Sequence, residues 1–112
     1  MTAAAAERAV AKLVELSVDL RGCALVAADG TVLASSGPAP WGERTVELWA
    51  AADAADAGPA TQLQIAGAGG EVFATRAGGI TAIAVTDRFA LASLMFCDLR
   101  AALRELAAAA EV

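Results

Sequence analysis

The sequence predicts an α+β fold: five strands and three helices in the order α-β-β-α-β-β-β-α, with helices covering both sides of the paired strands. Three observations predict it. Short apolar strands recur around glycine-containing turns at Asp29-Gly30, Gly69-Gly70 and Gly78-Gly79. Three longer stretches carry apolar residues at helical spacing. The paired strands are apolar on both faces near their middle, so helices must cover both sides.

At 112 residues the chain is expected to form one domain spanning 1–112, with enough length for a core without metals or disulfides. Apolar residues make up 58% and mean hydropathy is +0.58, but alanine supplies 32 of the 112 positions. Alanine buries little area, so close approach of the elements must replace bulky packing.

Residues Ala3 to about Ser17 read as an amphipathic helix. Ala6, Val10, Leu13, Val14 and Leu16 form the apolar face, Glu7, Arg8, Lys12 and Glu15 the other, and Thr2 is the N-cap. The stretch Gly22–Ser36, GCALVAADGTVLASS, reads as a hairpin turning at Asp29-Gly30. A two-residue turn there places Cys23, Leu25 and Ala27 with Val32 and Ala34, and puts Ala24, Val26 and Ala28 with Leu33 on the opposite face.

The segment Gly37–Gly42, GPAPWG, interrupts regular structure. A second helix is expected from Glu43 to Ala57, stopped by Gly58-Pro59. Strands follow at Ala60–Ala68, Glu71–Ala77 and Ile80–Thr86. Their alternation puts Leu63, Ile65, Val72, Ala74, Ile83 and Val85 on one face, with Phe73, Ile80, Ala82 and Ala84 on the other. Gln62, Gln64, Glu71 and Thr75 make the far end polar, so the stretch Thr61–Ala68 is a candidate free edge, a template for pairing with another chain. A long helix from Arg88 to about Ala109, capped by Thr86 or Asp87, carries Leu91, Met95, Leu99, Ala102, Leu103 and Leu106 along one side.

Composition narrows function by exclusion. A net charge of −5 and a pI near 4.5, with no basic cluster, argue against nucleic acid or an anionic membrane surface as partner. No apolar run is long enough to insert in a bilayer, and no secretory leader pattern is visible. The cytoplasm, with reduced thiols, is the expected compartment. Histidine is absent, which removes the commonest general base and metal ligand, and two cysteines do not make a zinc site. No catalytic residue, metal or cofactor is therefore assigned. Asp53 and Asp56 read as a solvated helix face. The run Gly67-Ala68-Gly69-Gly70 joins two strands and lacks the strand-to-helix context of a phosphate cradle.

Cys23 reads as a core residue. Cys97 reads as a small apolar residue beneath the first helix; the alternative is a thiol activated by Arg100 and Arg104. On the second helix, Val46, Trp49 and Asp53 line one flank. Trp49 is either an exposed anchor for a partner or, like Trp41, a filler of space left by small alanines.

The element order, the stretch GCALVAADGTVLASS and the terminal ITAIAVTDRFALASLMFCDLRAAL together resemble the Roadblock/dynein-light-chain family, from about Leu13 to Leu106. The resemblance implies a three-layer sandwich: a five-stranded antiparallel sheet with the second helix on one face and the two terminal helices on the other. It also implies a homodimer in which third strands pair across a two-fold axis and second helices pack side by side. The interface would then use Val46, Trp49 and Asp53 with Gln62, Gln64 and Ala66. Family members are non-enzymatic; they bind Ras-like small GTPases or serve as scaffolds, and bacterial members often work beside a small GTPase and a sensor kinase. No arginine here corresponds to a catalytic finger. The alternative function is a small-molecule-sensing domain, which would require a deep apolar pocket between the sheet and the terminal helix.

Overall fold

A computed structural model describes residues 3–55 and 60–110. The elements are α1 (Ala3–Leu16), β1 (Leu20–Ala27), β2 (Val32–Ser36), α2 (Trp41–Ala55), β3 (Gln62–Ala66), β4 (Glu71–Ala77), β5 (Ile80–Thr86) and α3 (Ala92–Ala110). All five strands lie antiparallel in one sheet ordered β2-β1-β5-β4-β3. The expected fold class and element order are those observed. The Thr2 cap, the final residues Asp56 and Ala57 of the second helix and the Gly58-Pro59 stop lie outside the described residues.

Two cores flank the sheet. On one side α1 and α3 enclose Cys23, Leu25, Phe73, Ala82 and Ala84. Phe73 meets Phe96 of α3 edge-on at 5.4 Å between ring centroids. Buried Ala5, Ala6 and Ala9 of α1 let that helix lie close to its neighbours, the close approach that an alanine-rich chain requires. On the other side α2 sets Trp41 and Trp49 on Ala24, Val26, Ala74 and Ile83. Full burial of side chains such as Phe73, Leu25 and Leu99 stabilises by roughly 1.5–3 kcal/mol each.

The first hairpin departs from its expected turn. Gly30 N–H bonds to Ala27 O at 2.9 Å and Ala27 N–H to Thr31 O at 2.8 Å, so the loop holds three residues, Ala28-Asp29-Gly30. Only Gly30 has positive φ there (92°), and the Asp29 carboxylate accepts the Thr31 N–H at 2.9 Å. The additional loop residue is absorbed by a bulge: Leu25 pairs with Ala34 but Val26 pairs with Val32. Leu33 is thereby turned to the α1/α3 core and Val32, opposite Val26, to the Val26 face, the reverse of where two-residue geometry put them.

The β3–β4 turn is shifted as well. Ala66 pairs with Glu71 and Gly67 N–H bonds to Gly70 O, so Ala68-Gly69 form the turn and β3 is shorter than expected. The shift moves pairing by two residues. With a side-chain period of two, the face assignments survive it. At Gly78-Gly79 both φ angles are positive (60° and 78°), and the expected two-residue turn is present.

Both later helices begin elsewhere than the sequence indicated. α2 starts at Trp41, two residues early, with the Pro40 carbonyl accepting the Arg44 N–H. α3 starts at Ala92, four residues late. Asp87 is not its cap: Arg21, bulged out of β1, takes the Asp87 carboxylate at 2.6 Å, and Asp87 N–H bonds to Asp19 O. Phe89 then adopts φ 65°, and the helix resumes only when the Leu91 carbonyl accepts the Met95 N–H. Leu91 consequently lies outside the core, as do Val14 and Leu16 of α1.

Candidate interaction surface

β3 is one edge of the sheet, β2 the other. Arg76 N–H bonds to Thr61 O and Gly67 N–H to Gly70 O, which fixes the alternation of the ladder. Thr61, Leu63, Ile65 and Gly67 direct their backbone groups to β4. Gln62, Gln64 and Ala66 direct theirs outward. The three edge residues singled out from sequence are thus those whose N–H and C=O are available to another strand. All three are exposed, and the Gln62 side chain accepts a hydrogen bond from Arg100 of α3 at 3.1 Å.

The α2 flank is held in place by a connected set of groups. Trp49 is buried, and its indole N–H donates to Thr81 Oγ1 at 2.8 Å. The Arg76 guanidinium lies 4.1 Å from the centroid of the Trp49 ring and binds both Asp53 carboxylate oxygens at 2.7 and 2.9 Å. Arg76 Nε donates to Ala60 O, and Ala60 N–H returns to Asp53. Bonding to Arg76, then to the Ala60 N–H, holds the Asp53 carboxyl below the ordinary carboxylate range. Trp49 is therefore the filler of the two readings, and Asp53 an exposed clamp. Val46 is exposed beside the hairpin tip.

Trp41 fills the other end of this layer. Its indole N–H donates to Gly37 O at 3.0 Å, and its ring lies against Gly22, where a Cβ would stand 3.0 Å from Cζ2. Gly42 meets the hairpin tip so closely that a Cβ would collide with the Gly30 carbonyl. The GPAPWG segment thus begins a helix and locks it to the first hairpin. A sequence signal for this was present in the paired glycines, but only the fold shows that they touch.

Between α2 and the β3 edge the sheet is uncovered. A groove of about 390 Å³ is walled by Trp41, Leu48, Val72, Ile83 and Val85, and Ile65 beyond it is 46% exposed. Its helix wall also carries Arg44 and Glu47, and further along α2 the small residues Ala51 and Ala55 are exposed. On the opposite face the core between sheet and α3 is filled by Phe73, Leu25, Leu99 and Leu106, each at most 1% exposed. Cys97 is exposed and not beneath α1 as expected, while Cys23 is buried and its thiol is pushed up to about 11 by desolvation. Among the described residues no group of three or more metal-ligating side chains comes together, and no helix is long and apolar enough to cross a membrane.

No family profile and no curated relative matches the sequence. The fold nevertheless matches solved structures over nearly its whole length. It superposes with a TM-score of 0.79 on a Roadblock/LC7 domain from Streptomyces avermitilis, at 15% identity, covering 95% of this chain and 98% of that one. The gliding protein MglB from Thermus thermophilus gives 0.79 at 19% identity, with 96% and 90% covered. Myxococcus xanthus MglB gives 0.71 at 18% identity, with 96% and 86% covered. The molecule therefore has the Roadblock/LC7 fold.

Proposed function

We propose that this chain is a non-enzymatic, homodimeric regulator or scaffold that binds a Ras-like small GTPase. The observation that carries the reading is the fold itself, matched across 95% of the chain by a Roadblock/LC7 domain and by MglB proteins of similar length. The dimer is formed by β3 and α2. Gln62, Gln64 and Ala66 of one chain pair with those of its copy, extending the sheet, and the exposed alanine-bearing side of α2 packs beside its symmetry mate over the Leu48–Val72–Ile65 strip. In that arrangement Trp49 and Asp53 do not reach the partner; they fix the height and tilt of α2 through Thr81 and Arg76. The core beneath α3 is filled by Phe73, Leu25 and Leu99. The hollow of about 380 Å³ between α3 and the β3–β4 end is open and rimmed by Arg76, Arg100 and Arg104 instead of being a deep apolar pocket, which favours this reading over a ligand-sensing domain.

Two measurements test it. Purified chain should bind a small GTPase loaded with a GTP or a GDP analogue, with different affinity for the two forms; failure to bind either, across candidate GTPases, would count decisively against a GTPase regulator. Gln64→Pro should abolish strand pairing between chains while leaving each folded. Residue 64 directs its N–H outward, where proline costs β3 no bond to β4. If light scattering shows the same mass for this variant as for the parent, the edge is not the interface.

A further inference from the structure

We infer that a hollow between α2 and the β4–β5 turn is a binding site for a small molecule that carries an oxyanion, a carboxylate or a phosphate. The hollow holds about 320 Å³, at the small end of the range for small-molecule sites. Ala27, Val46, Trp49 and the Gly78-Gly79 turn form much of its wall. Three polar side chains complete it: Thr45 of α2, Arg76 of β4 and Thr81 of β5. The site lies on the α2 face, opposite the filled core, and adds a ligand to the proposed regulator without replacing that reading.

Each of the three polar side chains has a donor left over. Thr45 is 2% exposed, and its Oγ1 has no hydrogen-bond partner among the described residues. A buried hydroxyl in that state costs folding free energy, and a helical threonine commonly avoids the cost by bonding the carbonyl four residues back. Thr81 Oγ1 accepts the Trp49 indole N–H, which leaves its own proton to give. Arg76 uses Nε on Ala60 O and Nη2 on Asp53, and its Nη1 bonds to nothing among the described residues. No carboxylate lines the hollow to meet these donors. Hydroxyls can turn either way but a guanidinium only donates, so the group that satisfies all three is an acceptor, and a charged one gains most.

A hollow filled only by bulk water accounts for Arg76 but not for Thr45, which water scarcely reaches. Valine has the same shape with no polar atom to bury, so folding alone would favour it at this position. A helical threonine divides between two rotamers, and its hydroxyl can therefore turn to a ligand without moving α2. Val46, Ala27 and the Trp49 ring leave a short apolar body beside the oxyanion. Thr81 and Arg76 also seat α2 through Trp49 and Asp53, so a ligand here bears on the hold of that helix.

The test is thermal unfolding of the full chain with sodium butyrate and, separately, inorganic phosphate, each against sodium chloride of matched ionic strength. One of the two should raise the melting temperature saturably, by about 5 °C at about ten times its Kd, and neutral butyramide should not. Which one does so separates an organic acid from a phosphate as the source of the oxyanion. Thr45→Val should raise the melting temperature of the ligand-free chain by roughly 3–6 °C and abolish the anion shift, whereas Thr45→Ser should keep it. The Trp49 indole N–H resonance should move with the same saturation, since its acceptor lines the site. No saturable shift with either anion overturns the proposal, as does a shift equal in Thr45→Val and the parent. A lower melting temperature for ligand-free Thr45→Val overturns it too, because the hydroxyl would then already be bonded. None of these outcomes bears on the GTPase test, which reads the binding of a protein.

Discussion

Removing the indole N–H of Trp49 tests whether α2 is tied to the sheet as the geometry indicates. Trp49→Phe keeps an aromatic ring against Ala24 and Val26 but loses the 2.8 Å bond to Thr81 Oγ1 and the second ring. The smaller side chain leaves roughly 40 Å³ unfilled, worth about 1 kcal/mol at ~24 cal/mol per Å³. The lost hydrogen bond adds about 1 kcal/mol, and weaker stacking under Arg76 about 0.5 kcal/mol. The single variant should therefore lose about 2–3 kcal/mol. Thr81→Val should cost about 1–3 kcal/mol, because it strands a buried indole N–H. In the double variant neither partner is left unpaired, so the two losses should fall short of additive by about 1 kcal/mol. Urea unfolding at one fixed protein concentration measures all four corners of the cycle, since self-association makes apparent stability depend on concentration. A coupling energy within ~0.3 kcal/mol of zero would refute the bond as a stabilising link, whatever the single losses.

Further outcomes follow from individual contacts. Gly22→Ala would place a Cβ 2.8 Å from Ser36 O and 3.0 Å from Trp41 Cζ2, so about 1–3 kcal/mol of stability should be lost; a neutral effect in urea unfolding would mean that Trp41 moves freely. Asp53 is held below its ordinary 3.8 by Arg76 and Ala60, and Asp29 by Thr31, so both stabilise the fold above that pH, and the contribution disappears as pH falls through their lowered values. Melting temperature should drop in that acid window, and less so in Asp53→Asn; identical acid profiles would remove Asp53 from the account. Cys97 should react with a thiol reagent in the native protein and Cys23 only on unfolding, as mass spectrometry after timed labelling would read, with early modification of Cys23 contradicting its burial. Above pH 9.0 the unfolded Cys23 thiol ionises while the folded one resists up to about 11, so stability should decline across that interval and Cys23→Ala should flatten the decline.

The exposed β3 edge of the sheet was legible in the sequence. Gln62, Gln64 and Ala66 alternate with apolar residues in a strand that nothing in the chain was placed to cover, and the ladder directs their backbone groups outward. The α2 flank was legible only as a choice. Helical spacing puts Val46, Trp49 and Asp53 together but does not say which side meets the sheet. That depended on Thr81 and Arg76, which lie 32 and 23 residues from the groups they bind. Cys97 was misplaced for a similar reason: α3 turns its Met95, Leu99 and Leu106 stripe to Phe73 and α1, which leaves Cys97 facing water.

Periodicity alone determined the number and order of the elements and the face assigned to nearly every strand residue. An alternating pattern tolerates a two-residue slip, as at Ala68-Gly69, without moving any side chain to the other side. Only the tertiary structure decided where α2 and α3 begin and which way Leu33 points. Helix starts are set by which groups satisfy the first free N–H donors, and here those groups are claimed from afar. Arg21 removes Asp87 from capping, and the Gly30 tip admits Gly42 into a helix that the local sequence argues against. A bulge at Leu33 arises because the preferred three-residue loop must meet a register already fixed by the far end of the hairpin.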